Sequence, residues 1–381
     1  MNPEISIIIP CLNEEMAIAA CLLEIKETIN RDNLLVEVIV VDNNSKDKTA
    51  EIVKSFQLDW PELFLVREER EGYGLAYLKG FSVARGKYIF MADGDGSYDF
   101  SEINFFINKL KAGFDFVVGN RFSGKMARRA MSWSHRYVGN PFLSFLVKFF
   151  FSVKINDIHC GARAISRTAL DKINLHTGGM EFASEMIIKA SQKSLKITEV
   201  PIKYRPRLGN SKLNSITDGW RHLRFILLYS PLFLFLIPGL IMLFLGIIFM
   251  AIFYFSNPVL FGIHLYIHPM FLFSVLIIIG YQLILFSGFS KVYAITHLGD
   301  SNLRIEKLFK WFTIEKAGLI GILMILLGAF IYGLIFINWV SSGFSSLNEI
   351  KNSVVALTLL VLGMQTFFSA FMFSILGIKE K

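Results

Sequence analysis

The sequence predicts an α/β domain built on a mostly parallel sheet, followed by interfacial segments and a four-helix transmembrane domain. Three observations predict it. Apolar, β-branched runs alternate with helix-period stretches over the first 120 residues, the pattern of a parallel sheet covered by helices on both faces. No Asp, Glu, Lys or Arg occurs at 225–290, 317–348 or 352–378, and about 20 apolar residues suffice to cross a bilayer. Of 381 residues, 53% are hydrophobic and the mean hydropathy is +0.49, too apolar for an ordinary soluble chain.

In order, ISIIIP (5–10) reads as the first strand. NEEMAIAACLLEIKETI (13–29) has helical spacing, with Asn13 as its cap and acids in the first turn. LLVEVIVVD (34–42) is a second strand and KDKTAEIVKSF (46–56) a second helix. LFLVRE (63–68) is a third strand and GLAYLKGFSVA (74–84) a third helix. KYIFMAD (87–93) and FDFVVGNR (114–121) are the fourth and fifth strands. Gly72 and Gly74 begin a GxGxxG, but position 77 is Tyr and the turn follows the third strand. It is a glycine turn opening a helix, not a dinucleotide fingerprint.

Beyond Arg224 the spans fall near 230–254, 269–290, 317–339 and 353–377, the first two separated by breakers at Asn257, Pro258, Gly262 and Pro269. The expected domains are 1–212 for the α/β domain, 213–228 as an amphipathic interfacial segment, 229–290 for two spans, 291–316 as an interfacial loop and 317–378 for two more. Trp220, Arg221, Leu223, Arg224 and Phe225 suit a helix lying in the interface, as does LRIEKLFKWF (303–312). Lys291, Arg304, Lys307, Lys310 and Lys316 crowd the loop between spans two and three. The other two loops hold only Lys351, so the large domain, middle loop and tail are expected on the cytoplasmic side. An integral protein of a plasma membrane, such as the bacterial inner membrane, is expected. MNPEISIIIP has no basic region ahead of its apolar run and does not read as a secretory signal. Cys11, Cys21 and Cys160 form no CxxC and read as reduced thiols. The net charge of +8 fits inside-positive bias and anionic headgroups. No nucleic-acid module accompanies it.

Ligands of open α/β sheets sit at the carboxyl ends of the strands. Those ends carry Pro10, Asn13 and Glu14; Asp42, Asn43, Asn44 and Ser45; Asp93 and Asp95; and Asn120 and Arg121. Capping and turn chemistry account for any one of them; all four together mark a site. Asp93-Gly94-Asp95 puts two carboxylates on one side of an extended turn, and hard oxygen donors suit Mg2+ or Mn2+ beside phosphate.

PCLNEE, VVDNNSKD, the DGD, GNR and RPRLGNSKL together resemble the GT-A glycosyltransferases of family 2. More narrowly, they resemble dolichol-phosphate mannose synthase and bacterial polyprenyl-phosphate glycosyltransferases. The resemblance covers about 5–213. It implies a GT-A sheet domain and metal-dependent, inverting transfer of a sugar from a nucleotide-diphosphate sugar, UDP- or GDP-linked. The implied acceptor is undecaprenyl or dolichyl phosphate, and the product a lipid-linked sugar donor. It implies that Pro10, Asn13, Glu14 and Asp42 cradle the nucleoside. Asp93 and Asp95 meet the diphosphate, with Asp95 the direct metal ligand, and Arg121 faces the phosphates. Arg136 and Asn140, one helical turn apart, meet the lipid phosphate together with Arg121. Asp157 matches a family acid, and Arg205, Arg207, Ser211 and Lys212 close over the diphosphate. Asn43 stands where the family more usually has a second acid.

An acceptor phosphate is already an anion and needs positioning rather than a general base. His135 and His159 are read as structural. One alternative is a processive polysaccharide synthase, against which stand the missing QxxRW and the lack of a span ahead of the sheet domain. Another is a transporter or non-catalytic membrane protein, against which stand the DGD and the arginine set; spans without charged residues carry no ion relay. The sequence leaves open which sugar is used and whether the chain forms a homo-oligomer.

Overall fold

The computed structural model describes residues 3–209, 215–230, 232–256, 258–260, 263–297 and 314–377. It divides into two compact units, Met1–Tyr229 and Ser230–Lys381.

The first unit is a seven-stranded sheet in the order β3-β2-β1-β4-β6-β5-β7. Its strands are β1 (Ile5–Cys11), β2 (Val36–Asp42), β3 (Leu63–Arg67), β4 (Tyr88–Met91), β5 (Phe116–Asn120), β6 (Arg163–Ser166) and β7 (Ile197–Pro201). β1 pairs in parallel with β2 and β4, β2 with β3, and β5 with β7. β6 runs antiparallel between β4 and β5. The prediction of a mostly parallel sheet therefore holds, with one reversed strand that hydrophobic patterning did not announce. β1 and β2 bury nearly every side chain, as expected of a sheet covered on both faces.

The helices of this unit are α1 (Ile18–Asp32), α2 (Thr49–Gln57), α3 (Tyr73–Val83), α4 (Ile103–Lys111), α5 (Asn140–Phe151), α6 (Arg167–Ile173), α7 (Phe182–Gln192) and α8 (Ser215–Leu228). The expected start of the first helix at Asn13 is corrected. α1 begins at Ile18 without a side-chain cap, and Asn13 lies outside it with φ 51°. Asn13 serves the next loop instead, accepting the Lys46 N–H on its Oδ1 at 2.7 Å. On α8, Phe225, Ile226 and His222 are buried in the sheet unit, whereas Trp220 is exposed. Lys212 and Ser211, and the 303–312 segment, lie outside the described residues.

The second unit holds α9 (Ile237–Phe255), α10 (His268–His297), α11 (Ile314–Ser341) and α12 (Ile350–Leu376). Among the described residues four stretches are long and apolar enough to cross a membrane: Phe233–Phe255, His268–Tyr293, Glu315–Ser341 and Ile350–Leu376. α10 and α12 are joined by polar bonds that lipid could not supply, Ser274 Oγ to Thr358 Oγ1 at 2.7 Å and Tyr281 Oη to Thr366 Oγ1 at 2.6 Å.

Candidate active site

The loops after β1 and β2 are bound to each other at the strand ends. The Asn13 N–H donates to Ser45 Oγ at 2.9 Å, the Glu14 N–H to Thr49 Oγ1 at 2.8 Å, and the Ser45 N–H to Asp42 Oδ1 at 3.1 Å. Pro10, at the end of β1, lies opposite Val41. The structure also shows what Asn43 does. Its amide donates to the Glu68 and Arg70 carbonyls at 3.3 and 2.7 Å, and its Oδ1 accepts the Gly72 N–H at 2.8 Å. An Asp here could not donate, so Asn43 is matched to holding the loop before α3. At α3 itself the Gly74 and Leu75 N–H groups donate to the Gly178 carbonyl at 2.9 and 3.2 Å. A Cβ on Gly74 would run into the Thr177 carbonyl. The glycine turn therefore admits a neighbouring strand of backbone, and its first helical donors are occupied.

The two acids of the DGD have different surroundings. Asp93 Oδ1 accepts from Tyr73 Oη at 3.0 Å and Tyr77 Oη at 3.1 Å, one helical turn apart on α3. Burial, and then the charge of Asp95, push the Asp93 carboxyl up to about 6, against the two phenols and Arg121. Asp95 Oδ1 accepts the Ser97 N–H at 3.0 Å and Ser97 Oγ at 2.5 Å. Its Oδ2 faces Arg207 Nη1 at 3.7 Å, too far for a hydrogen bond. Among the described residues no three His, Cys, Asp or Glu side chains converge to cage a cation. The pair nevertheless suits a hard ion that draws its other ligands from phosphate and water.

The two loop arginines separate. Arg205 pairs with Glu24 and with Asp99, at 3.0 and 2.9 Å. Arg207 pairs with Glu14 at 2.8 Å and turns its Nη1 to Asp95. Of these two, Arg207 stands at the acid pair, and its buried Nε has no partner among the described residues. Asp99 accepts from the Ser101 N–H at 3.1 Å and so caps the turn that follows.

Arg121 and Asp157 form a buried pair, 6% and 0% exposed. Nε and Nη2 of Arg121 each donate to Asp157 at 2.7 Å, and the Arg121 backbone N–H adds a third bond at 3.0 Å. Burial opposes the Arg121 charge, but Asp157 outweighs it and holds the guanidinium protonated well above its ordinary range. Asp157 is thereby a support for Arg121, which also lies over the Tyr204 ring at 5.1 Å. Arg136 and Asn140 have local partners: Arg136 lies over Tyr137 at 5.3 Å, and Asn140 Nδ2 donates to Met131 Sδ at 3.4 Å. A π turn, His135–Gly139, leads into α5 at that point. Beside it Trp133, Tyr137, Phe142, Phe145 and Phe149 are exposed, an apolar stripe that sequence reading passed over. Cys21 and Cys160 are buried, and burial pushes both thiols up to about 12, so they are inert.

Residues 6–174 match the model of Glycosyl transferase family 2, and residues 288–377 that of the Glycosyltransferase family 2 C-terminal transmembrane region. The low-salt glycan biosynthesis hexosyltransferase Agl6 of Haloferax volcanii is 36% identical over 383 aligned positions, covering 98% of this chain and 89% of that protein. The polyprenol monophosphomannose synthase of Mycolicibacterium smegmatis is 31% identical, covering 47% of this chain and 71% of that protein. The dolichyl-phosphate hexose transferase of Haloferax volcanii is 27% identical, covering 57% and 89%. With a relative matched over nearly its whole length, the chain is a glycosyltransferase and belongs to glycosyltransferase family 2.

Proposed function

We propose that this enzyme transfers one sugar from a UDP- or GDP-linked donor to a polyprenyl phosphate, undecaprenyl or dolichyl, by direct displacement with inversion. The observation that carries the reading is Asp95: Ser97 fixes one oxygen, and the other is presented beside the Arg207 cation. Mg2+ or Mn2+ held by Asp95, with Asp93 behind it, would neutralise the diphosphate as the glycosidic bond breaks. Arg207, rather than Arg205, adds positive charge at that place, and Lys212, outside the described residues, is assigned to the diphosphate from its sequence motif. Pro10, Asn13, Glu14 and Asp42 form the wall for the nucleoside.

Arg121, aimed by Asp157, faces the phosphates and meets the acceptor phosphate together with Arg136 and Asn140. The exposed aromatic stripe of α5 and the segment before it supports a lipid acceptor, since Trp, Tyr and Phe suit a bilayer interface. Two relatives bear names that join a sugar to polyprenol or dolichyl phosphate, which supports the same acceptor class. No general base is assigned, because the acceptor oxygen is anionic already. The sheet unit is placed on the cytoplasmic side of a plasma membrane, on the asymmetry of the basic loops.

The test is a screen of purified protein with radiolabelled nucleotide sugars and polyprenyl phosphate. A single-sugar lipid phosphate of inverted configuration is expected. Label in a polymer, or a product of retained configuration, overturns the proposal.

A further inference from the structure

We propose that Glu199 is a positioning residue for the acceptor side of the reaction, setting the direction of Arg121. The inference rests on the reading that Arg121 faces the phosphates. Glu199 lies on β7, beside β5, whose end leads into Arg121. Its carboxylate accepts four N–H donors. Oε1 takes the Asn156 and Asp157 backbone N–H groups at 2.5 and 3.1 Å. Oε2 takes Asn156 Nδ2 at 2.8 Å and Asn120 Nδ2 at 3.0 Å. Asn120 in turn accepts the Phe122 and Ser123 N–H groups on its Oδ1, both at 2.9 Å. One carboxylate thus holds the residue before Arg121, the turn after it and the backbone of its ion-pair partner Asp157.

The same network reaches the aromatic helix. Lys148 of α5 donates to Asn156 Oδ1 at 2.5 Å. The helix whose leading turn carries Arg136 and Asn140 is therefore tied, through Asn156 and Glu199, to the Arg121–Asp157 pair. Two parts of the proposed phosphate site, far apart in sequence, share one anchor. Only a carboxylate can be that anchor. A glutamine would turn its own NH2 toward donors and lose at least one oxygen's pair of bonds.

The test uses the full-length protein in lipid nanodiscs. Glu199→Gln is expected to raise amide hydrogen exchange at residues 120–123 and 156–157 and to leave the β1 and β2 ends unchanged. Transfer to polyprenyl phosphate should fall in kcat/KM by about ten- to a hundredfold, as for a slightly misaimed group, with donor KM unchanged. In a cycle with Arg121→Lys, the double variant should be no slower than Arg121→Lys alone, within about twofold. Unchanged exchange at those amides, or losses that multiply in the double variant, overturns the role of Glu199. If Arg121→Lys transfers at the parent rate while the exchange result stands, the reading of Arg121 fails and the anchoring by Glu199 does not. Lys148→Met supplies a milder break, expected to raise acceptor KM alone; a matching rise in donor KM counts against the link to α5.

Discussion

Replacing Asp157 by Asn should be among the most damaging single changes in the sheet unit. Asp157 is 0% exposed and takes two bonds from the Arg121 guanidinium and one from its backbone. An asparagine keeps one accepting oxygen but sets its NH2 against an Arg121 nitrogen, and it leaves the buried guanidinium without a counter-charge. Removing one partner of such a pair costs about 3–5 kcal/mol. At roughly 2–4 °C per kcal/mol for a unit of this size, the melting temperature should fall by about 6–20 °C. The assay is intrinsic-fluorescence melting of detergent-solubilised protein at neutral pH. Arg121→Met combined with Asp157→Leu should recover most of that loss, since apolar replacement of a buried pair is often neutral, yet stay inactive. Melting of Asp157→Asn within about 2 °C of the parent, less than 1 kcal/mol by the same scale, would falsify the buried-pair argument.

Arg207→Gln should cut transfer at least about tenfold, as loss of a charge stabiliser does, whereas Arg205→Gln should retain the parent kcat and lose at most about 1 kcal/mol of stability. A larger loss of kcat from Arg205→Gln would reverse the assignment. His222 is 6% exposed, and burial, then Arg163, lower its pKa to about 4. A depressed histidine contributes stability above its unfolded value, and that contribution is lost as pH falls from about 6.5 toward 4. The loss reaches about 3 kcal/mol at most. His222→Gln should therefore lessen the drop in melting temperature between pH 7.5 and 5; an unchanged slope would show that His222 does not titrate in this window.

Much of the sheet was legible because β1 and β2 are nearly continuous apolar runs, and the four spans because charge is missing over long stretches. β6 was not, because it is four residues long and opens with Arg163, a side chain that reads as surface. In the structure Arg163 is buried and donates to the carbonyls of Ile158, Cys160 and Ala183. The DGD was legible as an acid pair at a strand end, but the partners that distinguish the two acids were not. Tyr73 and Tyr77 have the spacing of any helix core stripe, and only the fold turns both hydroxyls onto Asp93. Choosing Arg207 over Arg205 needed Glu14, 193 residues away. Asn13 misled for a related reason, since its capping pattern is local whereas its actual partner, Lys46, lies in the next loop.

The most direct measurement is the metal dependence of sugar transfer to polyprenyl phosphate by the parent enzyme and Asp95→Asn. The account predicts that chelator abolishes parent activity, that Mg2+ or Mn2+ restores it, and that Asp95→Asn stays at least about a hundredfold slower at saturating metal. Full transfer in the presence of chelator, or parent-like rates from Asp95→Asn, would contradict it.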